Sequence, residues 1–368
     1  MGGLSVMAGE PVWAAESCSG NGKQLGRLRT GLGGGKQLGR RRTGPGNGKL
    51  RGRRKADPST GKPARAPGAR SGRKQNITDR RSKYMRWPNG AKSAFALGFD
   101  LDGDTIWRNK TKTLPKGSGY IKGPSIGQYG TKKGALRVLE ILDEFSLKST
   151  WFIPANIVME HPGLVETILD RGHEIGHHGL DHTGEYGATF QEQRERIERC
   201  QEIFEKYTGR RALGFRPTGA LLPETERWIY SEGGFVYSSA GISGEACGWY
   251  EVEGELTGAV NIPCRDEQMD DYVQTVFHSY PAVLVGMPRI APYENAYSNW
   301  VREVEGMVRM GNSGSTAFHP QIAGTPGRAV IFRSFCEYLA SNRDVWCATC
   351  LEIADYYKAA MEGNDDAH

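Results

Sequence analysis

The stretch SAFALGFDLDGD, residues 93–104, decides the fold because it predicts a buried strand that ends in carboxylates. Its first part is a short apolar run, which is typical of a strand covered on both faces in a parallel sheet. Further along, GALRVLEILDEF (134–145) places Val138, Leu142 and Phe145 on one face of a helix, and STWFIP (149–154) predicts the next strand. Together these segments form a strand–helix–strand unit.

The same alternation continues to the end of the chain. A helix is predicted from Pro162, and a longer one carries Phe190, Ile197 and Phe204 before a capping glycine, Gly209. Five more strands are predicted, at 213–217, 235–240, 282–286, 315–320 and 344–350. Strands that alternate with helices imply a parallel sheet, and about eight such units suit one barrel-like α/β domain. In such barrels the chemistry lies at the carboxyl ends of the strands.

The first 90 residues differ in composition from the rest. They contain 21 Lys and Arg against four acidic residues, and GKQLGRLRTG (22–31) recurs as GKQLGRRRTG (35–44). So few large apolar side chains cannot offset the entropy of ordering the segment, so we expect residues 1–90 to be a disordered basic tail that precedes a domain at 91–368. The tail is either an electrostatic arm for nucleic acid or, as we prefer, a dispensable extension.

Apolar segments and cysteines in the sequence indicate the cellular location of the protein. No run of about 18 apolar residues and no apolar signal segment occurs, so we expect no membrane association. Seven cysteines without a tight framework also favour a cytoplasmic protein. Cys347 and Cys350 form one CxxC, which we interpret as part of a buried strand rather than half of a zinc site.

Polar residues cluster at the ends of predicted strands and in the histidine-rich stretch that follows Asp170. Asp100 and Asp102 are separated by one residue, so an extended chain points both carboxylates to one side. In HEIGHHGLDH (173–182), His178 and His182 are four apart on a loop or first helical turn, within reach of one ion. Two imidazoles and one carboxylate form the donor set of an open catalytic metal site. His173 and His177 are expected to face the barrel wall.

Two further strand ends carry candidate groups. Arg216, in FRPTG (215–219), is placed to pair with a carboxylate and hold it ionised. His319, in FHPQ (318–321), is placed to donate a proton across the site from a base. Taken alone, each is as well explained by an ordinary ion pair or a structural histidine.

The order of these motifs, followed by VWCATCLEIADYY, resembles the polysaccharide deacetylase family, the NodB homology domain. It looks closest to the cytoplasmic branch of peptidoglycan-deacetylase-like and allantoinase-like proteins. The resemblance spans about residues 93–357. It implies a distorted barrel of seven strand–helix units and a hydrolase that acts on carbon–nitrogen bonds of amides in carbohydrate metabolism.

The resemblance also implies residue roles. Asp100 would be the catalytic base, oriented by Arg216, and His319 the general acid. Asp102, His178 and His182 would bind one divalent ion, zinc. Asp271 is the candidate for the acid that orients His319, and the aromatic rings of Trp107 and Tyr129 are expected to shape the substrate pocket.

Several alternatives remain open from the sequence. The substrate is an N-acetylated sugar or, alternatively, a small cyclic amide or imide. FDLDGD (99–104) also resembles the nucleophile motif of haloacid-dehalogenase-type phosphatases, but such enzymes have no use for His178 and His182. A metal-free carbohydrate-binding barrel is the non-catalytic alternative. A homo-oligomer is implied only by the resemblance.

Overall fold

The computed structural model describes residues 85–112, 121–184, 187, 189–240, 244–265, 269–271 and 292–362. The predicted tail therefore lies outside the described residues except for 85–90, and so does the strand predicted at 282–286. Within the described part of the chain, no helix is both long and apolar enough to cross a bilayer.

Nine strands form one sheet. They are β1 (Ser93–Asp100), β2 (Ser149–Ile153), β3 (Glu174–His177), β4 (Gly214–Phe215), β5 (Tyr237–Ser238), β6 (Gly248–Val252), β7 (Glu255–Asn261), β8 (Gly314–Ser315) and β9 (Val345–Cys347). Their order is β6-β7-β5-β4-β3-β2-β1-β8, and β9 pairs with β1. Every pairing between these strands is parallel except that of β6 with β7.

The sheet closes on itself just beyond β7. Cys264 forms a parallel β-bridge with Ser315 of β8. The amide of Arg265 donates to the carbonyl of Ser315 at 2.9 Å, and the amide of Ser315 donates to the carbonyl of Pro263 at 2.8 Å. The ring thus comprises β1 to β5, β7 and β8, with β6 and β9 attached outside it. The predicted distorted barrel of seven units is confirmed.

The α-helices of the described residues lie between successive strands, except that the last helix follows β9. They are α1 (Thr105–Lys112), α2 (Lys122–Tyr129), α3 (Ala135–Glu144), α4 (Ala155–Glu160), α5 (Pro162–Asp170), α6 (Phe190–Thr208), α7 (Pro223–Ser231), α8 (Tyr293–Met310), α9 (Pro320–Ala323), α10 (Pro326–Ser341) and α11 (Cys350–Glu362). A π-helical turn, Gly130–Gly134, joins α2 to α3. The long helix α6 begins with a reciprocal cap between Thr189 and Glu192 and ends at Gly209, which has a φ of 74°.

Two interior glycines leave room for large side chains inside the barrel. A Cβ at Gly98 would lie 2.8 Å from Nη2 of Arg216 and closer still to the carbonyl oxygen of Thr316. A Cβ at Gly214 would overlap the ring of Tyr237. Only glycine lets these strands approach the filled interior so closely.

The amino-terminal end of the barrel is closed by a buried carboxylate. Glu174 accepts hydrogen bonds from the hydroxyls of Tyr237 at 2.7 Å and Thr150 at 2.8 Å. It also accepts from the amide of Leu351 at 3.0 Å, in the first turn of α11. Amides in the first turn of a helix have no partner inside that helix, so the Glu174 carboxylate holds the start of α11 against the end of the barrel.

The structure corrects one predicted strand and adds a hairpin. The strand expected over 344–350 ends at Cys347, and Cys350 begins α11, so the two cysteines do not share a strand. Both thiols are free. The hairpin of β6 and β7 was not predicted from the sequence, and it forms one wall of the cavity described below.

Candidate active site

The candidate residues meet at the carboxyl edge of the barrel. Asp100 is the last residue of β1, His178 follows β3 and Arg216 follows β4. His319 lies four residues beyond β8, after a bridge that pairs Phe99 with Phe318. Because parallel strands present their carboxyl ends at one edge, residues more than two hundred positions apart converge there.

Three metal-ligating side chains converge on one point. Nε2 of His178 lies 3.5 Å, and Nε2 of His182 3.7 Å, from Oδ1 of Asp102. One ligand atom from each of the three lies within 4.8 Å of the others. Both carboxylate oxygens of Asp102 and Nε2 of His178 are buried and have no hydrogen-bond partner among the described residues. Since buried polar atoms are costly when unpaired, the donor set fits a divalent cation.

The hydrogen bonds around His178 set which nitrogen is free to bind the ion. Nδ1 lies 2.7 Å from the carbonyl oxygen of Arg216, which can only accept, so Nδ1 carries the proton and Nε2 keeps its lone pair. Burial lowers the pKa of His178 and favours the neutral imidazole that a metal requires. His182 has a φ of 55°, a left-handed backbone that turns the loop after β3 back toward Asp102.

Asp100 is held by a guanidinium that spans the barrel. Nη1 of Arg216 lies 2.5 Å from Oδ1 of Asp100, and both side chains are buried. Burial by itself raises a carboxyl pKa, but the charge of Arg216, with smaller contributions from His178 and His319, brings the pKa of Asp100 below its usual value. Asp100 is therefore an ionised carboxylate, and its Oδ2 lies 3.8 Å from Nε2 of His178.

Arg216 has further partners that fix its plane. Nη2 donates to Oγ of Ser239 at 2.9 Å, to Oγ of Ser315 at 3.1 Å and to the carbonyl of Thr316 at 3.0 Å. The guanidinium also stacks on Phe152, with its central carbon 4.0 Å from the ring centroid. The charge is thus fully engaged inside the protein.

His319 lies across the site and is held by Asp271. Nδ1 lies 2.8 Å from Oδ1 of Asp271, and the other oxygen of Asp271 accepts from the amide of His319 at 2.9 Å. Nε2 faces Oδ2 of Asp102 at 3.8 Å. Burial lowers the pKa of an imidazole, but Asp270 and Asp271 outweigh it and raise the pKa of His319 to about 10. The ring is therefore a protonated donor.

A cavity of about 580 Å³ opens over these groups. Asp100, His178, His182 and Arg216 lie on its surface. Its walls combine the loop after β4, α7, the β6–β7 hairpin and the segment after β7, through the residues Pro217, Thr218, Gly219, Glu226, Ser239, Ala240, Tyr250, Glu251, Cys264, Asp270 and Ala317. A volume of this size accommodates a ligand as large as a sugar.

The two aromatic residues expected to bind substrate lie elsewhere. Trp107 is fully buried in a small apolar cluster with Ile322, so its ring is not open to a ligand, and that expectation is corrected. The hydroxyl of Tyr129 donates to the carbonyl of Gly324 at 3.2 Å and accepts from Arg137, and Tyr129 is not among the residues that line the cavity. Packing of α1 and α2 onto α9 accounts for both positions.

The other two histidines of the central motif are structural. Nδ1 of His173 lies 3.0 Å from the hydroxyl of Ser149. His177 packs edge-on against Phe215 and Phe235 on the outside of β3. Burial lowers the pKa of His173 to about 4 and of His177 to about 3, so both rings are neutral.

Sequence reasoning missed the residues that surround the predicted set. Ser239, Ser315, Asp270, Glu226 and Tyr250 were not singled out, although all lie in the cavity wall or against Arg216. Asp270 directly precedes Asp271, so the pair QMDDY (268–272) was the one available indication. Ser239 follows a strand of two residues and Ser315 ends another, and strands this short show no alternation of polar and apolar residues.

Comparison with known proteins identifies the domain. Residues 127–238, which include both metal-site histidines and Arg216, match the family model described as polysaccharide deacetylase. These residues are thus similar to a polysaccharide deacetylase domain. The chain is also similar to the peptidoglycan deacetylase of Helicobacter pylori, with 22% identity over 71% of this chain and 94% of that protein.

Solved structures share the fold of this chain. A crystal structure of a "putative polysaccharide deacetylase" from Mycobacterium smegmatis aligns with a TM-score of 0.67 and 29% identity, over 75% of this chain and 94% of that one. Puue allantoinase aligns with a TM-score of 0.63 and 21% identity, over 74% and 93%, which shows a shared fold alone. Deacetylases of this family are hydrolases that act on amide carbon–nitrogen bonds.

Proposed function

We propose that this protein removes the acetyl group from an N-acetylated sugar by using one zinc ion held by Asp102, His178 and His182. One observation carries the proposal. The unpartnered ligand atoms of Asp102 and His178 lie between an ionised carboxylate, Asp100, and a protonated imidazole, His319. A base and an acid on opposite sides of a metal site are the groups that amide hydrolysis requires.

The donor set argues for zinc among divalent ions. Two imidazole nitrogens and one carboxylate are typical ligands of catalytic zinc, whereas Mg²⁺ and Ca²⁺ prefer oxygen ligands throughout. When bound, such an ion polarises an amide carbonyl and makes water more acidic. Nε2 of His178 and both oxygens of Asp102 are the buried atoms available to hold it.

The remaining steps belong to the side chains of the chain itself. Asp100, kept ionised by Arg216, accepts the proton of the attacking water. Its Oδ2 faces the metal site, 3.8 Å from Nε2 of His178. His319 donates a proton from Nε2 to the departing nitrogen, while Asp271 holds Nδ1 and fixes the orientation of the ring. The products are acetate and a free amine.

The cavity supports a sugar as the substrate. Its volume of about 580 Å³ exceeds what a small cyclic imide fills, and Tyr250 in its wall offers an aromatic face. The similarity to a peptidoglycan deacetylase favours an amino-sugar polymer or oligomer. The shared fold with an allantoinase does not by itself assign its reaction.

The experiment is metal analysis together with acetate release from N-acetylglucosamine oligomers, for the wild type, His178→Ala and His161→Ala. His161 lies between α4 and α5, away from the cavity lining, and is the matched histidine control. We expect about one equivalent of zinc and acetate release in the wild type and His161→Ala, and loss of both in His178→Ala. A wild type that binds no zinc when supplied with it, or that hydrolyses cyclic imides and no acetylated sugar, would contradict the proposal.

A further inference from the structure

Two acidic side chains in the cavity wall have no basic partner among the described residues. Glu226, on α7, receives one hydrogen bond, from the hydroxyl of Tyr250 at 3.2 Å. Glu251, on β6, lines the same wall and is exposed. Neither belongs to any ion pair of the described residues, whereas Glu253 on the same hairpin pairs with Arg227 at 2.7 Å.

The basic residue in the cavity cannot balance these charges. Among the described lining residues, Arg216 is the one Lys or Arg. Its guanidinium is directed at Asp100, two serine hydroxyls and a backbone carbonyl, all inside the protein. Asp270 also lines the cavity, but its carboxylate lies 3.7 Å from Nδ1 of the protonated His319, so Glu226 and Glu251 are the carboxylates of the wall without a cation among the described residues. The wall beyond the metal site is therefore acidic.

Burial makes the Glu226 carboxylate sensitive to a positive ligand. The side chain is about half buried, and its removal from water raises its pKa while Tyr250 partly opposes the rise. A cation that binds next to a partly desolvated carboxylate lowers the free energy of the complex, because the Coulomb attraction is less screened there than in water. Both glutamates would repel an anionic ligand and weaken its binding.

The same cavity contains a buried metal-ligating atom without a partner among the described residues, so the acidic wall borders a ligand-binding site. Nε2 of His178, whose side chain lies in the lining, is buried and has no partner among the described residues. Tyr250, which supports Glu226, also packs against Tyr230 with centroids 4.5 Å apart and so presents a fixed ring. An aromatic face beside carboxylates suits a sugar that carries an ammonium group.

We propose that Glu226 and Glu251 select amino-sugar substrates that carry a free amine beside the N-acetylated unit, and disfavour anionic sugars. The inference rests on the proposed deacetylase function and names its substrate class. Such a substrate is an amino-sugar oligomer that is already partly deacetylated, so each product amine increases the affinity of the cavity for the next acetylated unit.

The test compares three disaccharides on the zinc-loaded protein. They share one N-acetylglucosamine unit, and the neighbouring unit is glucosamine (cationic), N-acetylglucosamine (neutral) or N-acetylmuramic acid (anionic). We expect kcat/KM to fall in that order by about tenfold in total, through KM and more steeply at low salt. In the double variant E226Q/E251Q the spread should shrink to about twofold.

Glu255→Gln is the matched control, because it removes an exposed charge from the same hairpin outside the cavity lining. It should keep the full spread. Equal kcat/KM for the three disaccharides, or an unchanged spread in E226Q/E251Q, would overturn the inference while leaving the deacetylase function intact.

A binding measurement separates this inference from the proposed function. Calorimetry with the fully deacetylated glucosamine disaccharide and with its neutral N-acetylated form needs no turnover. If no disaccharide is hydrolysed but the cationic one binds about tenfold more tightly, and only when both glutamates are present, then the deacetylase proposal fails and the charge selectivity stands. Equal binding of the two would overturn the selectivity whether or not hydrolysis occurs.

Discussion

Nη1 of Arg216 lies 2.5 Å from Oδ1 of Asp100, with both side chains buried inside the barrel. Arg216 follows β4 and Asp100 ends β1, so the guanidinium reaches across the interior to join opposite sides of the ring. The same group is held by Ser239 after β5 and Ser315 in β8. The base is therefore positioned by four strands of the barrel rather than by one loop.

Arg216→Lys tests this arrangement. Lysine keeps the positive charge but is a point charge without the planar fork that reaches Asp100 and Ser315 together. We expect kcat to fall roughly 100-fold with KM little changed, because the base loses its orientation. Steady-state acetate release is the measurement, with Arg333→Lys on the exposed face of α10 as the control. A kcat within about twofold of wild type would show that the fork is not needed.

Gly98→Ala tests the space that the arginine occupies. A methyl group at Gly98 would press on Nη2 of Arg216 and on the carbonyl of Thr316. We expect a loss of about 1–3 kcal/mol in the free energy of unfolding and a lower kcat, because overpacking displaces the guanidinium. Gly306→Ala is the matched control, since a Cβ there meets nothing within 4 Å inside α8.

Gly306→Ala should stabilise the protein by roughly 0.5–1 kcal/mol, because alanine is the better helix former. Urea unfolding measures both variants. If Gly98→Ala behaved like Gly306→Ala, the interior close to Arg216 would have to be looser than the distances indicate.

Asp271→Asn tests the orientation of His319. The carboxylate of Asp271 holds Nδ1 of His319 at 2.8 Å and contributes to the raised pKa of the ring. A neutral amide in its place would hold the ring less firmly and lower the pKa of His319. We expect kcat to fall roughly 100- to 1000-fold, within the range attributed to a positioned general acid. Bound zinc should remain near one equivalent, because the proposed ligands are Asp102, His178 and His182, and this variant changes none of them. Loss of metal with activity would point to collapse of the site.

Zinc binding is predicted to stabilise the fold independently of any substrate. The ligand atoms of Asp102 and His178 are buried without partners, so an ion that binds the folded state alone shifts unfolding by mass action. At a free zinc concentration about 100 times the Kd, we expect a gain of about 2.7 kcal/mol. Thermal melts with and without zinc measure it, and Asp102→Ala should abolish the gain. An equal gain in that variant would locate the binding elsewhere.

Local patterns were enough to predict part of the fold and of the site. The apolar run of β1 and the helical periodicity of α6 with its capping Gly209 depend on neighbouring residues, and both elements were predicted at nearly their observed bounds. Asp102, His178 and His182 were predicted to meet because strand ends share one edge of a barrel, and the structure brings them together.

Other features depend on contacts that no local pattern encodes. Ser239 and Ser315 meet Arg216 only because the ring closes between Cys264 and Ser315, and β4, β5 and β8 are too short to show a period. The acidic wall requires the β6–β7 hairpin, whose partly exposed residues do not form a buried apolar run. Trp107 was misplaced because an aromatic residue in a loop-like segment reads the same whether it faces a ligand or packs against Ile322.

Glu174→Gln tests the pH dependence of stability at the other end of the barrel. Burial raises the pKa of Glu174 despite hydrogen bonds from Leu351, Tyr237 and Thr150. The folded state therefore holds the proton more tightly than the unfolded state. The stabilisation from this protonation is complete below the unfolded pKa and is lost as pH rises through the folded pKa. Each unit of difference between the two pKa values changes the free energy of unfolding by about 1.4 kcal/mol.

Glutamine cannot ionise, so its variant lacks this dependence. Plotted as wild type minus Glu174→Gln, the free energy of unfolding should fall as pH rises above about 4.5 and become level above the folded pKa. The subtraction removes the titration of all other groups, provided that they keep their pKa values. Urea unfolding at a series of pH values measures the difference. A difference that rises with pH would mean that the Tyr237, Thr150 and Leu351 hydrogen bonds outweigh burial and hold the folded pKa below the unfolded one.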